Sequence, residues 1–186
     1  RFPLGKTHIA LRRHERSGDS HRAAAETRID VAMAQAKLLL DTNIVIDYLN
    51  EREPYYEKAR LLMIAGRVGE FDLWMSSSQI TDLIYILSEG GAQSLIPLVL
   101  ERLRGLRTFV NIHPASDSEI DRMLASSWKD PEDALLFEVA LNIKADALIT
   151  RNTSDFESGL IKVMDCEEFF DWMLRERGLC YDEVAV

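Results

Sequence analysis

Histidine and cysteine are scarce in this chain, and their scarcity removes whole classes of chemistry. Of 186 residues, two are cysteine (Cys166 and Cys180) and four are histidine. Three of those four histidines fall within the first 32 residues, which leaves His113, beside Pro114, as the one beyond them. No zinc spacing can be assembled from this set. A Ser-His or Cys-His relay would have no base except His113, which reads more simply as a strand-end residue. Two isolated cysteines fit a reducing cytosol better than a disulfide framework. The chain also lacks a GxSxG elbow, a glycine-rich phosphate loop and any internal repeat. It has no apolar run near the roughly 20 residues needed to cross a bilayer, and residues 1–32 contain no continuous apolar stretch of the signal-peptide kind. The expectation is a cytoplasmic protein without membrane contact.

Positive charge is in short supply too. The net charge is −9, and it is uneven. Residues 1–32 carry seven Lys or Arg against four Asp or Glu, so they are +3 and the remainder is −12. A body this acidic argues against a general nucleic-acid coating protein, although bound metal ions and local arginines can still mediate RNA contact. Residues 1–32 are rich in Arg, His and Ala without a sustained apolar period. They read as a disordered or loosely helical leader, or as a basic arm, ahead of one domain over residues 33–186 that starts at Met33.

From Lys37 onward, short apolar runs alternate with helical spacing. KLLLD, FDLWMSS, TFVNIHP, DALITRN and IKVMD read as strands. Between and after them, TNIVIDYLN, PYYEKARLLMIAGRVG, QITDLIYILSE, AQSLIPLVLERLRGL, DSEIDRMLASSW, EDALLFEVALNI and CEEFFDWMLRERG read as helices. Pro54 is expected in a first turn, Pro97 in a first turn or at a kink, and Ser78 as a cap. Gly90 and Gly91 should break a helix, and Ser116 with Glu119 has capping-box spacing. The pattern predicts an α/β three-layer sandwich around a mostly parallel five-stranded sheet.

Four acids stand out because each follows an apolar run: Asp41 after LLL, Asp82 after FDLWM, Asp133 in KDPEDALLF and Asp155 after ALITRN. In an open parallel sheet the carboxyl ends of the strands share one edge, so these acids should converge. Converged carboxylates need a countercharge, and hard oxygen donors without His or Cys call for Mg²⁺ or Mn²⁺. Each acid also has a plainer role. Asp41 and Asp130 are good N-cap residues, Asp82 and Glu132 suit first turns, and Asp155 suits an Asx turn. An Asp directly after three leucines is costly unless something binds it. Helical periodicity points Asp133 inward with Leu136, Phe137 and Ala140, and turns Glu132 roughly 100° away. Asp82, among Ile80, Leu83, Ile84, Ile86 and Leu87, is expected on a largely buried helix.

At these residues the chain resembles the PIN domain family of metal-dependent ribonucleases, and within it the VapC-like toxins of toxin–antitoxin pairs. The matching pieces are LLLDTNIVIDYL, SSSQITDLIYIL and DPEDALLFEVALNIKADALITRNTSDF, covering about residues 36–170. The resemblance implies catalytic acids at Asp41, Asp82, Asp133 and Asp155. Many members have Glu in place of Asp82, and some have Asp in place of Asn152. On that reading Mg²⁺ or Mn²⁺ is held chiefly by Asp41, Asp133 and Asp155; the residues themselves suggest Asn43, Thr150, Asn152 and Asp130 as support, and Arg151 at a strand end as either an RNA phosphate contact or a solvated surface residue. An RNA substrate, a cognate antitoxin and a homodimer complete that expectation. The alternative is a non-catalytic PIN-like module that binds RNA or protein through a weakened metal site.

Overall fold

The computed structural model describes residues 9–15, 35–156 and 159–185. Five strands form the central sheet: β2 (Ala36–Leu40), β3 (Phe71–Ser76), β4 (Val110–His113), β5 (Ala147–Ile149) and β6 (Lys162–Met164). Their order is β4-β3-β2-β5-β6, and every pairing is parallel. A separate antiparallel pair joins β1 (Ile9–Glu15) to β7 (Leu179–Ala185). The helices are α1 (Thr42–Leu49), α2 (Tyr56–Arg67), α3 (Gln79–Leu87), α4 (Ile96–Leu106), α5 (Asp117–Ala125), α6 (Pro131–Asn142) and α7 (Cys166–Arg177).

The three-layer arrangement follows from strands buried on both faces. Along β2, Leu38 and Leu40 enter the larger core with Ile44, Leu62, Leu83 and Phe169, while Leu39 enters the other with Leu136, Phe137, Val139 and Leu148. Side chains alternate faces along a strand, so a Leu-Leu-Leu run can serve both layers. The chain leaves β2 toward β3 and β4 on one side, then returns to β5 and β6 on the other. The carboxyl ends of β2 and β5 therefore flank the switch point of the sheet, where open α/β folds place their ligands.

Local signals mostly act as expected. α3 ends at Leu87, Glu89 just after it already has a positive φ of 54°, and Gly90 and Gly91, with φ of 82° and 94°, carry the turn that follows. Pro97 sits in the first turn of α4 without breaking it. The Glu119 carboxylate accepts from the Ser116 amide at 2.6 Å and the Ser116 hydroxyl at 2.8 Å. Although burial works against its charge, these bonds and those from Asn142 and His113 hold the Glu119 carboxyl below its usual range.

Other expectations fail for identifiable reasons. Ser78 occupies the N-cap of α3 in helical geometry and its side chain makes no capping bond; its hydroxyl lies 2.8 Å from that of Ser76 instead. Pro54 lies inside a turn closed by the Tyr55 amide on the Arg52 carbonyl, and α2 starts only at Tyr56. Part of the head departs from coil or helix: Ile9–Glu15 is a strand, paired in register with β7, an element absent from the expected set. Within β7, Leu179 and Tyr181 are buried while Asp182 is exposed, the alternation of a strand with one covered face. Tyr181 packs against Phe71 and Phe170, with ring centroids 5.2 and 5.9 Å away. The other parts of the head, residues 1–8 and 16–34, lie outside the described residues.

Candidate active site

Asp41 follows β2 at the N-cap of α1, yet its carboxylate is committed mainly elsewhere. Its backbone is extended, no aligned capping hydrogen bond forms, and the nearby Thr42 and Asn43 amides act on it only as favourable dipoles. Its Oδ2 accepts instead from the Thr150 hydroxyl at 2.6 Å and from Asn43 Nδ2 at 2.5 Å. The lattice continues across the strand ends. Asn43 Nδ2 also donates to Thr150 Oγ1 at 3.1 Å, Asn43 Oδ1 accepts from the Arg151 amide at 3.2 Å, and the Asn152 amide donates to Thr150 Oγ1 at 3.0 Å. Thus Asn43 and Thr150 tie the end of β2 to the end of β5 through Asp41. With 7% of its surface exposed, Asp41 is nearly closed off from water. Burial raises its pKa, against the Thr150 bond, the amides of Thr42 and Asn43, and the charge of Arg151.

Asp133, in the first turn of α6, faces the same space. Its pKa is pushed up to about 7, first by burial and then by the charges of Asp130, Asp41, Asp155 and Glu132. Those four acids repel an anionic Asp133, so each adds to the rise that burial begins. Asp155, in a short 3-10 turn over Thr153–Asp155, is exposed, and so is Asp130. Asp130 also performs ordinary capping, accepting from the Glu132 amide at 2.8 Å. Among the described residues, no three acids stand as a ready-made metal-binding group. The donor chemistry nevertheless fits a hard divalent cation: the side chains are carboxylates, they oppose one another, and neutral hydroxyl and amide groups support them.

The sequence of this site falls inside a known family. The PIN domain profile matches residues 37–154, well over half of the chain. This chain belongs to the PIN domain family. The matched stretch includes three of the four expected acids and stops one residue short of Asp155. Ribonuclease VapC1 of Aquifex aeolicus is 28% identical over 145 residues, covering 74% of this chain and 95% of the relative. Among solved structures, a toxin–antitoxin complex from Klebsiella pneumoniae contains a chain 25% identical to this one, with a TM-score of 0.51. The alignment covers 69% of this chain and 97% of that one. VapBC2 of Rickettsia felis, bound to a promoter DNA fragment, matches at 17% identity and a TM-score of 0.54, over 69% and 98% of the two chains. At that identity it bears on the fold alone.

Within this PIN domain, two acids sit otherwise than periodicity suggested. Asp82 is exposed in the first turn of α3, whose buried residues are Gln79, Leu83 and Leu87. The helix is half covered rather than largely buried, so Asp82 needs no buried partner. Glu132, expected to turn away, reaches the site: the Thr42 hydroxyl donates to its Oε1 at 3.3 Å. Its pKa is raised, first by burial and then by Asp82, with Asp41 and Asp130 adding to the effect and the Thr42 bond opposing it. Glu132 thereby links Asp82 to the cluster. A long side chain at the start of a helix can swing back over the N-terminus, and residue angle alone does not capture that reach.

Gln79 is the other residue that periodicity missed. Fully buried, it donates through Nε2 to the Leu40 carbonyl at 3.0 Å and Thr42 Oγ1 at 3.1 Å, and its Oε1 accepts from the Ser76 amide at 2.8 Å. It fixes α3 to the ends of β2 and β3. Its position, just after a strand and first in a helix, was the available signal.

Proposed function

We propose that this PIN domain is a metal-dependent ribonuclease of the VapC kind, the toxin of a toxin–antitoxin pair, acting in the cytoplasm. The observation that carries this reading is the electrostatics of the acidic centre. A carboxyl with a pKa of about 7 in a ring of carboxylates is a poor arrangement for an empty fold and a good one for a bound cation. Asp41, Asp133 and Asp155 would hold Mg²⁺ or Mn²⁺, with Asp82 and Glu132 on the rim. At such a site the ion's chemistry is Lewis-acid activation of a phosphodiester and of a nucleophilic water. Thr150 and Asn43 keep the Asp41 carboxylate in one orientation by donating to it, and Asn152 holds Thr150 in turn. A cation held by Asp133 would compete with its proton, so ion binding should strengthen as pH rises through about 7.

The relatives support the partners: VapC1 is named a ribonuclease, and the 25% identical Klebsiella pneumoniae chain was solved in a toxin–antitoxin complex. An antitoxin bound over the acidic cleft and a homodimer belong to the same proposal. Among the described residues no helix is long and apolar enough to cross a bilayer.

The test is cleavage of single-stranded RNA in Mg²⁺ or Mn²⁺ by wild type and Asp41→Asn, with growth arrest on expression as the cellular readout. Asparagine caps a helix nearly as well as aspartate, so a capping role predicts no change. A ligand role predicts a loss of about 100-fold or more in rate. Equal activity in the variant, or cleavage that survives EDTA, defeats the mechanism. Metal-dependent RNA binding without any cleavage would favour the non-catalytic module.

A further inference from the structure

A pocket of about 430 Å³ opens beside the acidic centre, lined by Ile44, Tyr55, Lys58, Arg151, Asn152 and Glu167 among others. It adjoins the site through the chain itself: Arg151 and Asn152 directly follow Thr150, and both amides are bound into the Asp41 lattice. Asp47, also on its wall, is completely buried on the inner face of α1. Its Oδ2 lies 3.3 Å from Arg151 Nε, but neither carboxylate oxygen nor that nitrogen forms an aligned hydrogen bond. The ion pair holds Arg151 by charge rather than by a fork. The guanidinium lies over the Tyr55 ring, its carbon 4.6 Å from the centroid, and Tyr55 remains 47% exposed.

We propose that this pocket is a nucleobase subsite, receiving one unpaired base of the RNA strand whose phosphodiester lies at the acidic centre. The inference rests on the ribonuclease reading above. In this subsite the base stacks on Tyr55 and Arg151, while Asp47 anchors Arg151 from behind. Aromatic rings and guanidinium planes are the usual platforms for single-stranded bases. Size agrees, because the cavity falls in the range that encloses ligands somewhat larger than a base. Charge selects the base over its phosphate. Lys58 and Arg151 share the wall with Asp47, Asp165 and Glu167, so a phosphate there would face three carboxylates against two cations. An uncharged base avoids that repulsion, and its N–H groups suit the acceptors of Asn152 and Glu167.

The test uses the full chain and a 12-nucleotide single-stranded RNA of mixed sequence carrying 2-aminopurine at successive positions, in EDTA to prevent cleavage. Stacking quenches that fluorophore. Wild type and Tyr55→Phe should quench it at one position, while Tyr55→Ala should lose the quench and bind about tenfold more weakly, the scale of one base stack. Rescue by Phe separates stacking from a role of the Tyr55 hydroxyl. Equal binding by Tyr55→Ala, or no quench at any position in wild type, overturns the subsite. Loss in Tyr55→Ala of binding to a protein partner, with RNA binding intact, also overturns it and gives the pocket to that partner. Cleavage of the unmodified RNA in Mg²⁺ is measured alongside. Cleavage without quenching refutes only the subsite, whereas quenching without cleavage refutes only the ribonuclease reading.

Discussion

Asp133 concentrates the conflict between stability and function in this protein. Its carboxyl titrates near 7 in the fold against an ordinary value of 3.8. Between roughly pH 4 and 7 the unfolded chain has therefore released a proton that the folded chain keeps, and folding stability falls as pH rises through that window. Above about pH 7 the penalty is complete. Asp133→Asn should raise the stability of the metal-free protein at pH 8, by roughly 1–2 kcal/mol once solvent screening is allowed for. The gain should shrink as pH approaches 4. Thermal melts of both proteins across pH 4–8 in EDTA check this, and an equal gain at every pH would assign it to packing rather than charge. Asp41 differs in its support: burial raises its pKa too, but the donors Thr150 and Asn43 work against that rise and fix the carboxylate's orientation. A clustered acid and a supported acid thus share one edge with separate tasks.

At the scale of elements, the site depends on three strand ends being held in register. Gln79 bonds to the carbonyl that ends β2 and to the amide of Ser76 at the end of β3. Gln79→Ala would leave both groups buried without a partner, at a cost of about 2 kcal/mol or more. Chemical denaturation should show that loss, together with reduced activity, since Thr42 is tied to the same amide. Loss of neither would mean that the three bonds do not position the edge. Much of this level was readable beforehand. Strands in LLL and ALI, the glycine break after α3 and the Ser116 box each obey a local rule, and local rules survive folding. The reach of Glu132 and the particular bonds of Gln79 were not readable, although the place of Gln79 at a strand-to-helix junction was a signal, because those contacts depend on which carbonyl or hydroxyl another element brings within reach. Asp82 was misjudged in its surroundings because Tyr85 and Ile86, apolar in sequence, lie on the exposed face of α3.

The whole molecule is an acidic body whose central sheet is complete without its head. Strand β1 adds to β7, away from the five-stranded sheet, and β7 is anchored by Leu179 and Tyr181 on the larger core. Deleting residues 1–16 should therefore leave the acidic centre and RNA cleavage unchanged. The backbone of 179–185 would lose its paired strand, and hydrogen exchange there should accelerate while that of β2 and β5 stays slow. Acceleration across the central sheet would show that the head supports the core. The acidic balance also makes RNA contact rely on local positive charge such as that of Lys58 and Arg151, because a phosphate backbone is approaching a body of charge −12.

Central to all of this is one claim, that Asp41, Asp133 and Asp155 form a single divalent-cation site. Direct measurement of Mn²⁺ uptake, reading free ion by its electron paramagnetic signal at pH 7.5, tests it without reference to any RNA. Wild type should bind Mn²⁺ saturably, and Asp133→Asn should bind it at least tenfold more weakly, since the site loses one of its few anionic ligands. Equal Mn²⁺ affinity in the two proteins, with both folded, would contradict the account.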